Sequence, residues 1–315
     1  MVVHILLPLA GGLAVFLFGM KVMELALHRW AKDTLKNILV RYTKTPLRGL
    51  ATGTIATALL QSSSAVSVIT IGLVNAEILT FPQTLGIVLG MNIGPTVTTE
   101  LISLNIQSLA VPLLIGSFLL WMFSWLFSGR NIPIVRSVSL AVSGFACVLL
   151  GITIMQSILP ALKSEGMFAW FVEQSQRSLL WALIAGVCVT AVIQSSTAAI
   201  AMTMGLASMG AIGADVGIAI VLGANAGTCL TALIASVGGS RAGQWVAWSH
   251  VILNVGGAVL FFPLIPLLEQ FASWLSPHLS GQIAHTQTFY NIACSLIALP
   301  LCYLPVIRSF SPVKS

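Results

Sequence analysis

The sequence predicts an all-α polytopic membrane protein made of two inverted repeats, each carrying a re-entrant helical hairpin. About seven full spans and two hairpins are expected. Three observations lead there: a charge-poor composition, a series of long apolar runs, and a polar motif that occurs twice at a fixed spacing. Of the 315 residues, 57% are hydrophobic and 7% charged. Soluble domains carry about 25% charged residues, so the chain reads as one integral membrane unit without an attached soluble domain.

Apolar runs fall at about 5–27, 47–76, 83–104, 108–127, 137–158, 179–208, 214–236, 243–268 and 283–306, and a crossing helix needs about 20 such residues. The first run has no small-residue cleavage site and reads as a retained span rather than a signal peptide. The runs at 47–76 and 179–208 are longer and carry polar clusters at their middles: Gln61, Ser62, Ser63 and Ser64 in one, Gln194, Ser195, Ser196 and Thr197 in the other. These are the two expected hairpins.

The repeat appears on aligning Gly53–Leu73 with Gly186–Leu206, an offset of 133. It continues without a gap from Ile87–Thr98 to Ile220–Thr231, pairing Asn92 with Asn225 and Gly94 with Gly227. At offset 132, Gly12–Met23 matches Gly144–Met155. The expected division is repeat 1 over 1–133, inverted repeat 2 over 134–268, and a further span with a short tail over 269–315.

With two hairpins, repeat 1 crosses three times and repeat 2 enters inverted. With single crossings it crosses four times and the repeats are parallel. Seven of the fourteen Lys/Arg residues lie between Lys21 and Arg48, which places that segment in the cytosol. The N-terminus is then outside and the C-terminus inside. Arg130, Arg136, Arg241, Arg308 and Lys314 fall inside in the hairpin scheme, with Lys163 and Arg177 outside. The single-crossing scheme gives the same Lys/Arg balance, so charge does not decide between them.

Length and polarity favour hairpins. Arg48 to Gln61 covers about 20 Å of helix, just past the midplane of a core about 30 Å thick. A turn at that depth must satisfy its backbone groups inside protein or beside water, which suits Gln and three hydroxyls. The basic segment is a membrane-flanking loop rather than a nucleic-acid surface. The cysteines, Cys147, Cys188, Cys229, Cys294 and Cys302, lie in apolar runs without metal-ligand spacing and read as small buried hydrophobes, with no disulfide, metal or cofactor expected.

A tip of this kind joins the C-terminus of one half-helix to the N-terminus of another. Free carbonyls suit a cation, and free N–H groups with Ser hydroxyls suit an oxyanion. Gly90, Asn92, Gly94 and Pro95 mark a second broken element, and Asn92, Thr96, Thr98, Asn225, Thr228 and Thr231 could add ligands. Small polar residues in membrane helices more often pack than bind. A four-residue polar block at two equivalent positions favours a site instead. Glu77, Glu100 and Asp215 read as interfacial carboxylates, and Lys21 and Glu24, three apart, could pair. His250 with Asn254, and Gln287 with Asn291, share helical faces and are candidates for packing or for lining a cavity.

The paired Gln-Ser-Ser-Ser and Gln-Ser-Ser-Thr blocks resemble those of the type II sodium/phosphate cotransporter family. So do Gly11–Met23, Leu89–Thr96 and Leu222–Cys229, and the segments Ala247–Asn254 and Ala284–Asn291. At Gln287 this chain has Gln where the family pattern has His. The resemblance implies Na⁺-coupled movement of inorganic phosphate, Na⁺ being the coupling ion, across the cell (inner) membrane by alternating access. Gln61, Ser62, Ser63, Ser64, Gln194, Ser195, Ser196 and Thr197 carry over as the site. By dipole direction Na⁺ is expected near Gln61, Gln194, Asn92 and Asn225. Many bacterial relatives carry an added cytosolic regulatory domain, which is not expected in a chain ending at Ser315. A homodimer is compatible with such a protein.

Three alternatives stay open at the level of sequence. One is a coupled transporter of sulfate or a carboxylate. Another is a passive anion channel. The third is an intramembrane serine hydrolase pairing Ser63 with His250 or His285, although there is no Gly-x-Ser-x-Gly elbow.

Overall fold

The computed structural model describes residues 2–127, 129, 132–157 and 166–308. Arg130, Lys163 and Lys314, used in the topology count, lie outside them. Among the described residues the chain is helical, without strands. Six helices are long and apolar enough to cross a membrane: Ala10–Arg29, Phe81–Ser103, Gln107–Leu126, Ile132–Gln156, Ala214–Ser236 and Arg241–Leu275. A seventh crossing was expected at 283–306. The helix there, Leu279–Ala298, has 20 residues, but Gln282, His285, Thr286, Gln287, Thr288 and Asn291 make it too polar to join the six.

Helix α1, Val2–Tyr42, runs on through the segment expected to be a polar loop. No Gly or Pro lies between Met20 and Thr45, and Lys, Arg, Leu and Glu all support helix. The first long apolar run forms α2 (Pro46–Leu60) and α3 (Ser63–Asn75). Pro46 occupies the first turn of α2, where a missing N–H costs nothing, and the Thr45 hydroxyl accepts from Arg48 N. The next span is α4 (Phe81–Ile93) continued by α5 (Thr96–Ser103). Gly94 and Pro95 between them keep right-handed helical angles, so the expected second break is an interruption without reversal. Helices α6 (Ala110–Phe123) and α7 (Ile132–Gln156) follow.

The later half has the same order. An amphipathic α8, Gly166–Arg177, precedes α9 (Leu179–Ile193) and α10 (Ser196–Ser208). Then come α11 (Ala214–Gly227) and α12 (Cys229–Ser236). Helices α13 (Arg241–Phe261) and α14 (Ile265–Leu275) are separated by a 3₁₀ turn at Phe262–Leu264, and α15 is Leu279–Ala298.

Glycine seams fix how these helices lie. A Cβ added at Gly53 would sit 2.6 Å from the Ile87 carbonyl oxygen, at Gly90 2.2 Å from that of Leu50, and at Gly86 2.2 Å from that of Pro46. Contacts that advance together along both helices mean that α2 and α4 run parallel, so Phe81 begins at the same end as Pro46. The counterparts behave alike: Gly186 meets the Ile220 carbonyl at 2.3 Å and Gly223 that of Leu183 at 2.0 Å. Helices α1 and α7 instead cross antiparallel. A Cβ at Gly12 would lie 3.0 Å from the Gly151 carbonyl oxygen, and one at Gly19 2.5 Å from that of Gly144. Small residues let membrane helices approach at backbone contact, where dispersion replaces the absent hydrophobic drive.

Two apolar clusters flank these seams. One gathers Ile200, Met204, Val221, Leu222 and Tyr290. The other gathers Leu60, Val66, Ile87, Leu89 and Met91.

Candidate functional site

Both polar blocks sit at helix breaks of the same shape. Gln61 ends α2 in the left-handed region at φ 53°, and Gln194 ends α9 at φ 59°. A left-handed non-glycine residue is uncommon, and it lets each chain turn sharply without glycine. Ser62 and Ser195 follow in extended conformation as N-caps, and their hydroxyls accept from Ala65 N and Ala198 N, each at 3.2 Å. The half-helices that follow begin at Ser63 and Ser196. Capping leaves the first-turn N–H groups around Ser63, Ser64, Ser196 and Thr197 pointing out of the helix ends.

The two breaks meet at one cavity of about 310 Å³, lined by Gln61, Ser62, Ser63 and Ser64 on one side and Gln194, Ser195, Ser196 and Thr197 on the other. Thr228 joins them from the start of α12. Helix N-termini from both halves thus converge on one space with six hydroxyls of Ser and Thr at the breaks. That is the chemistry of an oxyanion site. The Gln61 amide is held by donation from Nε2 to the Ala58 carbonyl (2.5 Å) and by acceptance from the Thr98 hydroxyl. Ser64 Oγ meets Thr231 Oγ1 at 3.2 Å, so the first break touches the later half. Gln194 is exposed to the cavity side.

Sequence reasoning missed one wall of this cavity, which α1 supplies: Leu17, Met20, Lys21 and Glu24. Lys21 Nζ and Glu24 Oε2 are 3.0 Å apart, as their spacing suggested. Their position beside the blocks had no sequence signal except the match of residues 12–23 to 144–155. A second cavity of about 480 Å³ shares Glu24, Ser62, Ser64 and Gln194 and reaches His28.

Most of the remaining candidates form a buried polar core behind the cavity, which Thr228 joins to its wall. Asn92 Nδ2 donates to Asn254 Oδ1 at 2.7 Å, and His250 Nε2 lies 3.1 Å from Asn92 Oδ1. Asn225 Nδ2 donates to the Val221 carbonyl, Thr96 Oγ1 to that of Ile93, and Thr228 Oγ1 to that of Asn225. Gln287 Oε1 accepts from Thr99 Oγ1 at 2.6 Å. Asn291 is buried and its Nδ2 has no partner. Glu100, read as interfacial, pairs with His285 Nδ1 at 2.9 Å and accepts from Thr288 Oγ1 at 2.6 Å. Both imidazoles considered for Ser63 are therefore engaged with other groups. No group of three or more His, Cys, Asp or Glu residues suited to a metal occurs among the described residues, and the five cysteines are free thiols.

The Asn92–Asn254–His250 core makes a stability prediction. Asn254→Leu strands the Asn92 donor in a dry interior, which costs about 1–3 kcal/mol. A lower melting temperature in detergent is expected, and an unchanged one would remove the structural role assigned to this bond.

A protein-family profile described as Na+/Pi-cotransporter matches residues 15–157 and 161–273. "Uncharacterized protein YqeW" of Bacillus subtilis is 34% identical over 291 residues, 92% of each chain. "Putative inorganic phosphate export protein YjbB" of Escherichia coli is 27% identical over 296 residues, and the Salmonella typhimurium protein of that name 26% over 300. The alignments cover 94% and 95% of this chain, which spans about half the length of the YjbB relatives (53% and 54%). No solved structure matches the chain.

Proposed function

We propose, from the premise that this chain belongs to the Na+/Pi-cotransporter family, that it is a secondary transporter coupling Na⁺ to inorganic phosphate at the cavity between the two breaks. The observation that carries the reading is the convergence of two capped helix N-termini, one from each half, on that cavity. Phosphate takes the N–H groups and hydroxyls around Ser62–Ser64 and Ser195–Thr197. Na⁺ takes carbonyls at the ends of α2 and α9 with the Gln61 and Gln194 amide oxygens. Asn92 and Asn225 stand behind as further amides, and Asn92 would first exchange its bonds to His250 and Asn254.

The re-entrant, inverted architecture belongs to the same proposal, and two packings support it. Parallel α2 and α4 start at the same end, so the chain between them has turned back, as a hairpin does and a single crossing does not. Antiparallel α1 and α7 are corresponding helices of the two halves. Gly12 corresponds to Gly144 and Gly19 to Gly151, so the contacts Gly12–Gly151 and Gly19–Gly144 exchange under the repeat. A two-fold axis in the membrane plane does that, whereas an axis along the normal leaves corresponding helices parallel.

Coupling has an electrostatic purpose. Moving divalent phosphate inward against about 100 mV costs about 4.6 kcal/mol, which two accompanying Na⁺ cancel and a third reverses. The protein works in the cell membrane by alternating exposure of the cavity. A second direction of flux, outward, is favoured by the name of the YjbB relatives, phosphate export proteins. The test is ³²P-phosphate flux in proteoliposomes with Na⁺ gradients of either sign. Flux driven by Na⁺ and resistant to excess sulfate is expected. Flux indifferent to Na⁺ removes the coupling, and competition by sulfate removes the selectivity.

A further inference from the structure

The two breaks offer only neutral dipoles, yet the cavity between them contains a full positive charge. Lys21 and Glu24 line it from α1, their side chains 60% and 27% exposed. A Lys–Glu pair three residues apart on a helix is ordinarily a minor local contact. Its place in the cavity and the contrast with the other half give it more meaning.

Under the repeat, Lys21 and Glu24 correspond to Thr153 and Gln156, so the charges exist in one half only. The Thr153 hydroxyl donates to its own helix at the Leu149 carbonyl. Gln156 Nε2 donates to Ser208 Oγ at 3.0 Å, joining α7 to α10. The corresponding region between α1 and α3 is open, and Glu24, His28, Ala65 and Val68 line the larger cavity there. Charge and opening coincide on the same side of the molecule.

We propose that Lys21 is a substrate-binding side chain that acts from one membrane face: its ammonium leaves the Glu24 carboxylate for an oxygen of the phosphate held at the breaks. This rests on the phosphate reading above. An exposed ion pair contributes little to stability, so exchanging its partner costs little. A lysine ammonium on a flexible stem carries three donors and can follow an anion into a cavity of this size. The anion thereby recruits positive charge to its own site from the open side. No charged counterpart waits at Thr153 and Gln156.

The experiment measures half-saturating phosphate for Na⁺-dependent flux in right-side-out and inside-out membrane vesicles, for wild type, Lys21→Gln, Lys21→Arg and Glu24→Gln. Lys21→Gln is expected to raise half-saturation about tenfold on one face, the size of one charge-assisted hydrogen bond, with the other face nearly unchanged. Lys21→Arg stays near wild type. Glu24→Gln, which releases Lys21, lowers half-saturation on the same face, a change that misfolding cannot produce. Unchanged values on both faces in both neutral variants, or equal changes on both faces, overturn the proposal. A folded wild type with no Na⁺-dependent phosphate flux instead overturns the transport reading, and this inference with it.

Discussion

Gly223→Ala is expected to abolish recovery of folded protein. Its new Cβ would stand 2.0 Å from the Leu183 carbonyl oxygen, 2.9 Å from the Leu183 carbonyl carbon and 3.0 Å from Val187 N. All three are backbone atoms, so no rotamer change relieves them and α9 and α11 must separate. Overpacking usually costs about 1–3 kcal/mol, and a clash with rigid backbone belongs above that range. Gly90→Ala, 2.2 Å from the Leu50 carbonyl oxygen, should behave alike. Gly72→Ala is the control: nothing lies within 4 Å, and alanine in a helix is about 0.5–1 kcal/mol better than glycine. The check is the monodisperse fraction on size-exclusion chromatography and the melting temperature in detergent. A Gly223→Ala protein melting within a few degrees of wild type would show that the seam yields.

The second large effect concerns the turns. Gln61 and Gln194 both adopt positive φ, a conformation that costs any residue with a Cβ about 1–2 kcal/mol, so alanine there removes an amide and keeps the strain. Glycine removes the amide and relaxes the turn. The paired change Gln61→Gly with Gln194→Gly is expected to keep a near-native melting temperature and lose Na⁺-driven phosphate flux by about a hundredfold, the worth of two lost polar contacts. The paired alanine variant should lose flux equally and melt below the glycine pair, because it keeps the left-handed strain that glycine relieves. Wild-type flux in the glycine pair would mean that these amides shape the turn without touching the transported ions.

Much of this was legible in the sequence. The helical, charge-poor character and the breaks at Gln61 and Gln194 follow from composition and motif spacing, because each is local or periodic. The cavity wall at Lys21 and Glu24 was not legible, since it depends on how α1 leans against two breaks distant in sequence. The partners of Glu100 were not legible either: it stays partly exposed, as an interfacial carboxylate would, and only the packing of α5 on α15 brings His285 and Thr288 to it. The long α1 was hidden for a different reason. Polarity marks a segment as outside the membrane, but it says nothing against helix when Gly and Pro are absent. The polar row on α15 was seen as two pairs on helical faces. Its reach across most of that helix sets it apart from the six more apolar ones.

The antiparallel crossing of α1 and α7 also has a history in time. Gly12 waits for Gly151 and Gly19 for Gly144, so about 130 residues must be synthesised before the glycine face of α1 is covered. At about 5–20 residues per second, that is roughly 6–26 s. During this interval the nascent first half lies in the bilayer with its narrowest helix face against lipid alone. A close backbone seam is then available to any helix of complementary shape. Chain assembly at the ribosome is therefore a stage at which the wrong partner, including a neighbouring copy's Gly144–Gly151 face, competes with the right one.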